Sequence, residues 1–222
     1  MQDARLDGAL LERPISRIPA NTVTLGHCTR DGMAPAKTDQ RLRRYVAHHP
    51  MNRSLTELLQ NQLRDLYDAE CQYERMLPRM VECCTDKELR AAMAEIAVVT
   101  SENIDVLKEV CRLLEVAPDG LECEAMAGLI REARRTADQG PDSATLDAAL
   151  IANAQRIAHY EIAGFGTASA FAKCLSSPAA AALLSKLAVQ AGRHDVRLTK
   201  IATGGWFFTG VNDDARLASA AP

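Results

Sequence analysis

From Leu59 to Ala202 apolar side chains recur in steps of three and four, and this spacing commits most of the chain to amphipathic helices. Ser54-Leu-Thr-Glu57 is a capping box, in which serine accepts from a first-turn N–H and glutamate reaches back. The helix it opens has an inward line of Leu59, Leu63, Leu66, Glu70, Tyr73, Leu77 and Val81, and Pro78 is expected to kink it. Thr85-Asp-Lys-Glu88 is a second capping box, followed by Leu89, Met93, Ile96, Thr100, Asn103 or Ile104, Leu107, Val110 and Leu114. Pro118-Asp-Gly120 ends that helix, and a shorter one is expected from about Leu121 to Ala137, stopped by Gly140-Pro141. A third long helix begins near Asp142 or Ser143 and runs through Leu146, Leu150, Asn153, Ile157, Tyr160 and Gly164 to Phe171. Ser177-Pro178 opens the fourth, through Leu184, Leu187, Ala191, Asp195, Leu198 and Ala202, and Gly204-Gly205 stops it.

Four long helices and a short one, with no strand signal, predict an all-α protein. The architecture is an up-down four-helix bundle with the extra helix in the connection between helices 2 and 3. Helices of ~25–30 residues span about 40–45 Å. The 37 alanines let helices approach closely, and a 4% aromatic content argues against a β-sandwich or barrel. Residues 1–50 hold four of the nine prolines and net charge +3, without sustained periodicity. They read as a disordered leader or an over-extended reading frame whose true start is Met51. Residues 51–205 form the bundle. Residues 206–222 form a tail, with Trp206, Phe207 and Phe208 packed against a bundle end and the last dozen residues frayed.

The formal net charge of −3 lacks the basic footprint of a nucleic-acid binder. No apolar stretch approaches the ~18 residues of a membrane span, and MQDARLDGALLERP has no apolar signal core, so the cytoplasm is the default compartment. Seven cysteines without a C-x-x-C pair read as reduced helix residues. Phosphate-loop, nucleophile-elbow and dinucleotide fingerprints are absent from the sequence.

A helical bundle hosts a di-metal centre when two helices each supply a glutamate and the other two each supply Glu-x-x-His, because residues three apart share a helix face. Glu70 and Asp195 fall on inward lines and Glu161 lies beside one. No histidine has an acidic residue three positions away, so the ligand set is incomplete and no catalytic residue is assigned. His159 and His194 are open to ordinary hydrogen-bonded roles.

Three segments carry a family resemblance: Leu63-Arg-Asp-Leu-Tyr-Asp-Ala-Glu70, Cys123-Glu-Ala-Met-Ala-Gly-Leu-Ile130, and Ala149-Leu-Ile-Ala-Asn-Ala-Gln155 continuing through His159-Tyr-Glu-Ile-Ala-Gly164. In order and spacing they resemble the bacterial ferritin-like stress-associated proteins of the YciE/YciF type. The resemblance implies a rubrerythrin-like bundle, usually dimeric, with a di-iron or di-manganese centre and no assigned reaction. On that basis Glu70, His159, Glu161 and Asp195 match metal-site positions. Five departures stand against a complete centre. Ile96 and Val99 replace a histidine and a glutamate of the second helix, Ala158 replaces a glutamate of the third, and Gln190 and Ala191 replace a glutamate pair of the fourth. The expectation is a homodimeric bundle with a vestigial or vacant metal site, acting as a structural or interaction protein without nucleic-acid or membrane partners. No cofactor is expected; if one is bound, it is iron or manganese. The alternatives are a di-iron or di-manganese oxidoreductase handling peroxide or ferrous iron, and a thiol sensor using Cys83-Cys84 or Cys71.

Overall fold

A computed structural model describes residues 52–138, 143–205 and 209–218. The expectations for residues 1–50 and for Trp206, Phe207 and Phe208 lie outside the described residues. Among the described residues six helices form: α1 (Leu55–Cys83), α2 (Lys87–Leu113), α3 (Glu124–Ala137), α4 (Ala144–Cys174), α5 (Pro178–Thr203) and α6 (Val211–Ala218). α1 runs through Pro78 without a break.

Local sequence sets most of the boundaries. The Ser54 hydroxyl accepts from Glu57 N at 3.1 Å, while the Glu57 carboxylate reaches one residue beyond the expected place, to Arg53 N at 2.7 Å. Ser143 caps α4 by accepting from Leu146 N at 3.2 Å, and Pro178 occupies the first turn of α5. Gly204, at φ 68°, adopts the left-handed conformation that ends α5. The second capping box is built differently from expectation. Asp86, not Thr85, caps α2, accepting from Leu89 N at 2.7 Å. Thr85 turns away because the buried Asp147 carboxylate, at the start of α4, accepts from Thr85 N at 2.9 Å, from the Thr85 hydroxyl, and from Asp86 N at 2.8 Å.

Cross-helix contacts fix the directions. α4 is antiparallel to α1, since Asp65 meets Tyr160 while Thr85 meets Asp147. α5 is antiparallel to both α4 and α2, through Ser169 to Ala181 and Arg197 to Glu95. α3 climbs beside α1: its start is tied to Asp68 and Gln72, and its end to Arg79. The long helices therefore run up, down, down, up rather than strictly alternating, because α3 carries the chain back along the bundle before α4 begins. A four-helix bundle with one such long crossover has the connectivity of ferritin-like proteins. α6 forms within the stretch expected to fray and packs on α4 and α5.

The apolar core falls into two clusters. One holds Tyr73, Ile96, Met126, Leu150, Ile157 and Leu198; the other holds Leu63, Leu66, Leu107, Phe165, Leu184 and Leu187. Where each long helix passes from one cluster to the other it carries buried polar residues: Glu70 on α1, Thr100 and Asn103 on α2, Glu161 on α4 and His194 on α5. α4 approaches α1 closely at Gly164, where an added Cβ would stand 2.6 Å from Leu66 Cδ2, so a larger residue there requires the Leu66 side chain to shift.

The three donors on Asp147 make it the clasp between the α1–α2 turn and α4. Asp147→Ala leaves the Thr85 and Asp86 amides without that acceptor, and we expect a loss of about 3 kcal/mol. Asp147→Asn, which keeps one acceptor oxygen, should lose less. Urea denaturation followed by circular dichroism checks both.

Candidate metal centre

Glu70 and Glu161 reach the centre of the bundle because α1 and α4 are antiparallel and each places one carboxylate at the break between the apolar clusters. Both are buried, at 0% and 3% exposure. Their carboxyl groups are in hydrogen-bond contact, and Asn103 Nδ2 donates to Glu70 Oε2 at 3.2 Å. Glu70 Oε1 receives no donor from any fixed N–H or O–H group.

Two carboxylates in contact, away from water, cannot both be ionised. Burial pushes the Glu161 carboxyl well above the ordinary carboxylate range, and the facing charge of Glu70 pushes it further. Burial also raises Glu70, against the lowering effect of its hydrogen bonds to Glu161 and Asn103, to about 7. A proton on Glu161 makes that carboxyl the donor in its hydrogen bond to Glu70. The pair then carries one negative charge at most, with the Asn103 amide against it. The buried Tyr73 hydroxyl is held well above its ordinary pKa, first by burial and then by the two glutamates.

His159 and Asp195 lie elsewhere. His159 Nε2 is 3.4 Å from Asp195 Oδ1, with side-chain exposures of 67% and 20%. Gln155 Nε2 donates to the same Asp195 oxygen at 3.0 Å and to Thr199 Oγ1 at 2.9 Å. The four candidate ligands thus divide into a buried pair and a surface pair. The inward residue of α5 at this level is His194 rather than Asp195, and its Nε2 is buried without a hydrogen-bond partner.

The residues present do not fit a di-metal centre. Two divalent ions need bridging carboxylates together with terminal carboxylate or imidazole ligands. Here the buried set offers two carboxylates and an amide, while Ile96, Ala158 and Ala191 are buried apolar residues. Among the described residues no three His, Cys, Asp or Glu side chains come together as a metal site.

A second polar cluster was not evident from residue spacing. The Tyr160 hydroxyl donates to Asp65 Oδ2 and lies 3.0 Å from Cys123 Sγ. The Cys123 sulfur caps α3, accepting from Met126 N at 3.4 Å, and Cys123 N donates to Asp68 Oδ2 at 2.7 Å. This cluster joins α1, α3 and α4. The only signal for it in the sequence is that its residues sit in the segments carrying the family resemblance. Cys71, Cys84, Cys111, Cys123 and Cys174 are free thiols. Burial raises Cys84 to about 12 and Cys123 to about 11, and also raises Cys71, the opposite of what a reactive thiolate needs.

This is a helical bundle of ferritin-like connectivity whose central polar layer is a carboxyl pair. The chain belongs to the YciF-type family described as "Domain of unknown function (DUF892)", whose model matches residues 54–214. It is 34% identical over 143 residues to protein YciF of Escherichia coli K-12, covering 63% of this chain and 85% of that protein. The crystal structure of the E. coli stress protein YciF superposes with a TM-score of 0.65 at 30% identity, covering 67% of this chain and 94% of that one. YcfI, a putative structural protein from Rhodopseudomonas palustris, gives 0.66 at 35% identity, covering 69% of this chain and 98% of that one.

Both glutamates are raised above their unfolded values, so the native state holds more protons than the unfolded chain from about pH 4.5 upward, until Glu70 gives up its proton near 7 and Glu161 at still higher pH. That contribution is complete at the acid end and falls progressively as pH rises through and beyond 7. The melting temperature should therefore fall by roughly 4 °C from pH 5.5 to 8. Glu161→Gln, which donates to Glu70 without needing a proton, should flatten the dependence and raise stability at pH 8. Differential scanning calorimetry across that range checks both, and a Glu161→Gln variant with the wild-type slope would contradict the shared proton.

Proposed function

We propose that this protein is a bundle with a vestigial metal site, acting in the cytoplasm as a stress-associated structural or interaction protein and assembling as a homodimer. The observation that carries the reading is the pairing of Glu70 with Glu161. A proton and the Asn103 amide do there what cations would do in a di-metal centre, and the neighbouring ligand positions are filled by Ile96, Ala158 and Ala191. An interior arranged in this way holds together by packing and hydrogen bonding. The similar E. coli protein is described as a stress protein and the Rhodopseudomonas one as a putative structural protein, which supports both parts of the reading. No described helix is long and apolar enough to cross a membrane.

The competing oxidoreductase requires metal on Glu70, Glu161, Asp195 and a histidine. His159 and Asp195 pair with each other on the surface, so supplying them would require rearrangement of α4 and α5. Elemental analysis of protein purified from iron- and manganese-supplemented cells should find well under one metal per chain, and neither metal should raise the melting temperature. One or two metals per chain, lost in Glu70→Ala, would establish the oxidoreductase instead.

A further inference from the structure

Between α1 and α3 runs a groove of about 490 Å³ whose apolar lining is Met76 and Ile130. Its two ends carry charge of opposite sign. Asp68 and Glu122 line one end, Arg75 and Arg134 the other. This polarity follows from the climb of α3 beside α1. Glu122 precedes Cys123, whose amide donates to Asp68 Oδ2 at 2.7 Å, so the two acids share an end. Arg134 comes one turn before Ala137, whose carbonyl accepts from Arg79, which sets it level with Arg75. Asp68 and Arg75 are seven residues apart on α1, about 10 Å along the helix axis.

The four charges are not neutralised within the chain. Among the described residues Asp68, Arg75, Glu122 and Arg134 form no ion pair. Arg79, one turn beyond Arg75, by contrast pairs with both Glu82 and Asp138. The donors to Asp68 are uncharged, Gln72 Nε2 and Cys123 N, and both go to Oδ2. Gln72 Nε2 also donates to Cys123 O at 3.1 Å, which ties the acidic end of the groove to both helices. A plain anion is drawn to the arginines but repelled by the acids, and a plain cation meets the reverse. A molecule carrying both charges, spaced to reach both ends, satisfies all four groups. Its uncharged middle then covers Met76 and Ile130, an apolar body held by a few polar groups.

We propose that the groove between α1 and α3 binds a short zwitterionic chain molecule, a free tripeptide or a linear ω-amino acid. Its carboxylate lies between Arg75 and Arg134, whose planar forks suit a carboxylate, and its ammonium group lies against Asp68 and Glu122. Length selects this class. Three extended residues span about 10 Å, the separation of Asp68 from Arg75, whereas the two charges of a single α-amino acid are too close together to reach both ends. The site shares no residue with the central carboxyl pair, so it stands apart from the reading of that layer.

Titration of the isotopically labelled full chain with trialanine and with ω-aminooctanoate, followed by NMR, tests this. At least one probe should bind with a dissociation constant of about 1 mM or below, and the largest shifts should fall around Met76 and Ile130. Trialanine binding alone assigns a peptide, ω-aminooctanoate binding alone an ω-amino acid, and both together the shared chemistry. Acetylating the amine of the bound probe, or amidating its carboxylate, should each weaken binding roughly tenfold. Arg134→Glu and Glu122→Lys should do the same with helicity unchanged by circular dichroism. Failure of both probes to bind at roughly 20 mM overturns the proposal. Undiminished binding of a probe blocked at either end, or undiminished binding in both variants, overturns it as well.

Discussion

Two carboxylates in contact inside a dry bundle impose the strictest condition on this structure. Burying an ion costs several kcal/mol even after relaxation, and a second like charge at hydrogen-bond distance adds to it. Glu70 and Glu161 meet that condition with a shared proton and with Asn103. Divalent cations would meet it as well, but only with enough ligands to compensate their own desolvation. Here the buried surroundings are largely apolar. Burying a side chain the size of Ile96 contributes ~1.5–3 kcal/mol, and Ala158 and Ala191 leave no donor atom behind. The balance favours a neutral, packed layer over a charged, metallated one.

The polar layer also explains why the core has two halves. Each long helix changes from one apolar cluster to the other where it carries Glu70, Asn103, Glu161 or His194. The Asp65–Tyr160–Cys123 cluster lies at the same level on the outer side of α1 and α4, and Tyr160 packs against both halves. α3 is anchored to this cluster at its N-cap, Cys123, which fixes where the crossover starts. The direction order of the bundle follows from that anchoring.

What could be read from the sequence was local in origin. Ser54, Ser143 and Pro178 act within one turn of themselves, and the helices they open formed where expected. The Thr85 box misled because Asp147, 62 residues away, captures its hydroxyl and amide. Nothing within a turn of Thr85 shows this. The inward lines were readable on α1 and α2, slipped by one residue on α4 from Tyr160 onward, and missed on α5 at Asp195 alone, since Leu198 and Ala202 are buried as expected. Steps of three and four placed Tyr160 and Asp195 inward, whereas Glu161 and His194 are the buried residues. A line of 3.5-residue average spacing drifts around a 3.6-residue helix, and only packing against the neighbours decides which adjacent residue faces in. For the candidate site the miss at Asp195 matters, since Asp195 stands beside the exposed His159 rather than with the two glutamates.

The segments that carry the family resemblance contain two kinds of residue, and the structure separates them. Asp65, Asp68, Cys123 and Tyr160 tie α1, α3 and α4 together, and none of their hydrogen bonds involves Glu70 or Glu161. They specify connectivity. Glu70 and Glu161 belong to the central polar layer, and the side chains at positions 96, 99, 158 and 191 are apolar. A bundle built in this way can lose metal ligands without losing its topology, because the bonds that set the crossover are made by other side chains. Resemblance across residues 54–214 therefore establishes the family and the fold. Chemistry at the centre depends on a handful of positions that the resemblance does not constrain, and in this chain those positions favour a proton over a metal.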